Sequence, residues 1–271
     1  MPGTPASRTP LGYFNVGYDQ TDSQPTALTR AKNFYPFVDG IMTYLQGFFL
    51  GVTIPGTPIQ LLVTTVGLAA GFAAHWNTAG GSFVIFLTPS DDVKNLQVLL
   101  VEELSEIFMY TQGQGWFAGS NTEGKIGEGL SLYLGREWAL SNSYSARPNV
   151  GNQWMTSNRD NTLGAVDPLP DYGPKVAGDL LFLTYLKYQL GFQTNEIISH
   201  GDSTSSLASV YKNLTTDTND PFYPFLSLLN YKFPNKTAIP SGVDQDSPWL
   251  QPLINNRKST INPQSAILNP Q

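Results

Sequence analysis

The chain has 271 residues and a mass of 29.7 kDa, enough for a full hydrophobic core in one large domain. A formal net charge of −6 and the lack of any Lys/Arg cluster argue against a nucleic-acid surface, and the absence of cysteine excludes disulfides, thiolate metal sites and a Cys nucleophile. The first 14 residues have no apolar stretch of the signal-peptide kind, and no apolar run reaches the roughly 20 residues that span a bilayer.

Residues 1–10 read as a disordered leader, 11–243 as a single domain, and the Pro/Asn-rich segment 244–271 as a C-terminal tail. Alternation over 11–18 predicts a strand. The apolar spacing of 25–50 predicts a long helix that Pro36 must kink or split. Two β-branched, apolar runs, 59–66 and 82–87, read as strands. Between them GLAAGFAAHWNTAGG (67–81) reads as a loop or crossover.

Ser90 is placed to cap a helix running to about Gln112, with Asp91 and Asp92 in its first turn and Gly113 and Gly115 at its end. A second helix covers 123–140. A long polar region follows at 141–174, then an apolar helix over 175–190 and short helices over 195–200, 205–213 and 222–229. A few strands followed by helices make an α+β pattern, a small N-terminal sheet and then a mainly helical half.

The segment VEELSEIFMY (101–110) puts Glu102, Glu103 and Glu106 inside a run of large apolar residues, in a chain of which only 13% is charged. A period of 3.6 places Glu102 and Glu106 one turn apart on one face, with Glu103 beside them. Carboxylates this close repel one another unless a cation, a shared proton or water intervenes. The set reads either as a solvated stripe on an amphipathic helix or as a site.

The frame Glu102-Glu103-Leu104-Ser105-Glu106, followed 22 residues on by Glu128 in EGLS, resembles the metal motif of zincin metallopeptidases of the gluzincin type. In that family HExxH supplies two His ligands and a general-base Glu, and the next helix supplies a third ligand, a Glu. The resemblance covers residues 61–138. It implies a zincin-like domain in which Glu103 stands at the general-base position, Glu102 and Glu106 replace the two His, and Glu128 takes the third ligand position. It also implies that Glu102, Glu106 and Glu128 converge.

With the His pair gone, zinc is not expected. Any cation at Glu102, Glu106 and Glu128 is expected to be an oxygen-liking one, Ca, Mg or Mn. Three functions follow. One is a catalytically inactive peptidase-like protein that binds a peptide, glycan or protein partner in the old cleft. The second is a hydrolase, peptidase-like or glycosidase-like, that uses the carboxylates Glu102, Glu103, Glu106 and Glu128 with or without such a cation. The third is a structural or assembly protein.

The remaining candidates have bland readings beside functional ones. His75 in AAHWN and His200 in SHGD are the two histidines, and each reads first as structural. Arg136 is positioned to neutralise a carboxylate or to form a surface ion pair. Tyr172 and Tyr185 are candidate hydrogen-bond donors, and Trp116 and Phe117 candidate cleft residues. All four read more simply as packing. Asn213 and Asn235 stand in glycosylation sequons, patterns common by chance.

Overall fold

The computed structural model describes residues 7–19, 26–64, 73–78, 81–87, 92–117, 124–144, 149–164 and 173–249. The fold is α+β: a five-stranded N-terminal sheet followed by helices. By contacts the chain divides into two units, one of residues 1–112 and 134–147, the other of residues 113–133 and 148–271.

The first unit contains β1 (Ser7–Arg8), β2 (Phe14–Tyr18), α1 (Thr26–Phe34), α2 (Val38–Gln46), β3 (Ile59–Val63), β4 (Ala73–Asn77), β5 (Phe83–Leu87), α3 (Val93–Gln112) and the second half of α4 (Gly124–Ser141). Its sheet has the order β1-β2-β3-β5-β4. The three inner strands are parallel, and both edge strands run antiparallel to their neighbours. The long helix expected over 25–50 is split as Pro36 requires: α1 ends at Phe34, a single 3-10 turn spans Tyr35–Phe37, and α2 continues from Val38.

One face of the sheet is dry. Ile59, Leu61 and Val63 of β3 are buried while Gln60 between them is exposed, and Phe83, Ile85 and Leu87 of β5 are buried in the same alternation. α1 packs on β2 and β3, α3 packs on β4 and β5, and the two helices touch, so they cover the same face. Phe49 stacks on Phe108 of α3 at 5.0 Å between ring centroids.

Two expectations change here. The segment 67–81 is more than a crossover, because Ala73–Asn77 forms the edge strand β4. The sheet also begins inside the expected leader, where Ser7 and Arg8 pair with Val16 and Asn15. Buried Asp39 of α2 holds this end down, accepting hydrogen bonds from Thr9 Oγ1 (2.6 Å) and the Leu11 amide (2.7 Å).

The second unit contains the first half of α4, then α5 (Gly151–Met155), α6 (Pro174–Tyr188), α7 (Thr194–Ser199), α8 (Leu207–Thr215) and α9 (Phe222–Lys232). Its core is aromatic: Trp154, Phe182, Tyr185, Phe225 and Trp249 touch edge to face or tilted. Asp246, at 0% exposure, accepts the backbone N–H groups of Asn149, Val150 and Gly151. Residues 244–249, the start of the segment read as a tail, are therefore part of this core. Among the described residues no helix is long and apolar enough to cross a membrane.

Candidate functional site

The stripe reading of α3 fails on burial. Glu102, Glu103 and Glu106 are 7%, 8% and 4% exposed, and α3 is buried on nearly every side from Leu96 to Met109. Carboxylates in such a place need partners. The Ser90 cap and Asp91 lie outside the described residues.

The partner of Glu103 and Glu106 comes from β4. In the β4–β5 ladder His75 pairs with Ile85, and residues directly opposite one another in a ladder project from the same face. Ile85 is buried on the helix-covered face, so the register carries His75 there too, against α3. His75 Nδ1 lies 2.9 Å from Glu103 Oε2 and 3.3 Å from Glu106 Oε2. Burial opposes charge on this imidazole, but hydrogen bonds to Glu103 and Glu106, and the negative charge of both, outweigh it and push His75 up from 6.5 to about 10. At neutral pH His75 is accordingly an imidazolium held between Glu103 and Glu106.

From the sequence His75 reads first as structural, whereas the fold puts it in the site. The available signal was the five residues AAHWN, a turn closed by Gly81, and the five residues FVIFL, which together describe a hairpin. Folding that hairpin in its observed register places the histidine.

Glu102 points elsewhere. A Cβ added at Gly135 of α4 would meet Glu102 Oε1 at 2.7 Å and Cγ at 2.9 Å, so the carboxylate lies directly on the bare backbone of that helix. Glu128, 7% exposed, lies on the first half of α4 and belongs to the second unit, where its carbonyl accepts Ser131 Oγ. Among the described residues, the group of three or more His, Asp and Glu donors that could share a metal ion, all within 4.8 Å of one another, is His75, Glu103 and Glu106. Zinc of the kind the motif resemblance implies does not fit the residues at its ligand positions. Both imidazole positions are carboxylates, and Glu102 is packed against Gly135.

The other candidates have structural places. Arg136 pairs with Glu137, and both are buried, so this is not a surface pair. His200 ends α7, with Nδ1 2.7 Å from the Glu196 carbonyl. Trp116 is fully buried and donates Nε1–H to the Ile198 carbonyl at 2.9 Å, while Phe117 is half-buried. Tyr185 is a core aromatic whose hydroxyl burial pushes upward in pKa. Tyr172 lies outside the described residues.

No family model matches the chain, and neither a curated protein nor a solved structure shows significant similarity to it.

Proposed function

We propose that this chain is a zincin-like, peptidase-like protein that has lost hydrolytic chemistry and uses the region around α3 to bind a peptide, glycan or protein partner. The observation that carries this reading is the engagement of Glu103. A general base must be free to accept a proton from water. Glu103, at the general-base position of the motif, instead holds a charged hydrogen bond from His75 at 2.9 Å, in a buried setting where such bonds are strong. The element order supports the fold part of the reading: a small N-terminal sheet, then the motif helix, then a mainly helical half.

The test is turnover. Unstructured protein substrates and chromogenic glycosides are incubated with the full chain and with Glu103→Gln, in buffers with and without added Ca, Mg or Mn. The expected result is no turnover by either protein. Turnover by the parent that Glu103→Gln abolishes overturns the reading and installs the hydrolase that uses these carboxylates. A peptide array probed with the full chain tests the binding part. A peptide ligand whose affinity falls when Glu106 is replaced by Gln supports it.

A further inference from the structure

We propose that His75, Glu103 and Glu106 form a binding site for one divalent cation of the manganese and ferrous-iron class. This set is not the one the motif resemblance implies. It omits Glu102 and Glu128, uses the residue at the general-base position as a ligand, and takes its nitrogen from a strand. The site therefore stands whether or not the chain is peptidase-like.

The donor spacing suits a metal ion. In octahedral coordination with bonds of about 2.1 Å, neighbouring donor atoms lie roughly 3 Å apart. His75 Nδ1 sits 2.9 Å from Glu103 Oε2 and 3.3 Å from Glu106 Oε2, and the three donors all fall within 4.8 Å. Two of the three separations match that spacing, and the third, between the two carboxylates, is within 4.8 Å. Three protein donors on one cation would leave its other positions for water or a ligand.

The donors come from rigid elements. Glu103 and Glu106 are three residues apart on a long helix buried on nearly every side, and His75 is fixed by a strand register. Sites built on packed elements hold their donors in place better than sites on loops. The donor chemistry selects the cation. An imidazole with two carboxylates lies between the all-oxygen sets that suit Ca and Mg and the nitrogen- and sulfur-rich sets that suit zinc. Two buried carboxylates also need a positive charge beside them, and a divalent cation supplies it.

The probe is Mn(II), added to the full chain after treatment with a chelator and its removal. Binding is read as loss of the free Mn(II) signal in electron paramagnetic resonance. One equivalent bound per chain is expected, with a nitrogen coupling from the bound imidazole in the pulsed spectrum of the unaltered protein. His75→Ala and Glu106→Gln are each expected to weaken binding by tenfold or more, while Glu102→Gln leaves it within twofold. His75→Gln, closer in size, replaces His75→Ala if the latter fails to fold by circular dichroism. No binding at millimolar Mn(II), bound Mn(II) without nitrogen coupling, or unchanged affinity in the His75 variant overturns the proposal. So does displacement by equimolar Ca(II), which would mark an oxygen-only site. The turnover assay is read separately, so failure of the cation site leaves the peptidase-like reading standing, and the reverse also holds.

Discussion

His75 gains its positive charge from two neighbours on one helix, and that makes the first unit sensitive to base. Its folded pKa is raised from 6.5 to about 10. The stabilisation is fully present below pH 6.5, declines as pH rises toward 10 and is gone above it. Its size is on the order of a few kcal/mol for this largely buried group. In chelator-treated protein, urea unfolding of the parent and of His75→Asn should therefore differ most at pH 6 and converge by pH 10.5. A difference that stays flat with pH would show that the ion pair is not what His75 contributes. The same geometry sets the sign for Glu106→Gln. From the sequence, crowding of the carboxylates without a metal implies that Glu102→Gln or Glu106→Gln raises the melting temperature at pH 8. With the imidazolium in place, Glu106→Gln removes a partner from a buried cation, and a loss of roughly 1–3 kcal/mol at pH 7 is expected by thermal or urea melts. The motif helix and its three carboxylates were legible in the sequence because acidic residues inside an apolar run are conspicuous. Their partner was not, because a histidine 28 residues upstream of Glu103 acquires meaning only through strand register.

At the scale of elements, glycines separate close helix contacts from open ones. Gly135 of α4 faces Glu102 so closely that Gly135→Ala must displace a buried carboxylate. Alanine's helix-propensity gain of up to about 1 kcal/mol is outweighed, and a net loss of about 1–3 kcal/mol is expected in a urea melt. Gly40 of α2 is exposed with nothing within 4 Å of an added Cβ, so Gly40→Ala should stabilise by roughly 0.5–1 kcal/mol. If both substitutions stabilise, the close approach of Glu102 to α4 is wrong. Most helices were legible from their periodicity, and the split at Pro36 follows from proline's missing N–H. β4 was hidden because its Ala-rich, Gly-flanked surroundings carry little strand propensity. What makes it a strand is pairing with β5, a tertiary effect that local propensity does not contain.

Over the whole molecule, the chain reads from sequence as one domain with loose ends, whereas its contacts form two units whose division passes through α4. A single helix carrying one continuous apolar pattern gives no compositional hint of such a division. The C-terminal segment was hard to read for a related reason. Its Pro and Asn content suggests disorder, yet Asp246 closes three backbone amides at the start of α5, and Trp249 donates Nε1–H to Thr184 at 2.9 Å. Asp246→Ala would remove the acceptor of all three amides, of which that of Gly151 is buried, and should cost about 1–3 kcal/mol in a urea melt. A chain ending at residue 243 should be cleaved faster in limited proteolysis than the full chain. Equal cleavage rates would mean that residues 244–249 contribute nothing to the second unit.

The hairpin that carries His75 closes through Thr78, whose amide donates to the Ser82 carbonyl, and Gly81, whose amide donates back to Thr78 with φ at +75°. Side chains alternate along a strand, so one residue inserted into or deleted from this turn moves the pairing by one place and turns the imidazole to the opposite face. Surface turns usually tolerate such changes in length. Here the count of residues between Asn77 and Phe83 is part of the chemistry of Glu103 and Glu106, and a frame-preserving codon insertion there would erase the site while leaving every one of its residues in the gene.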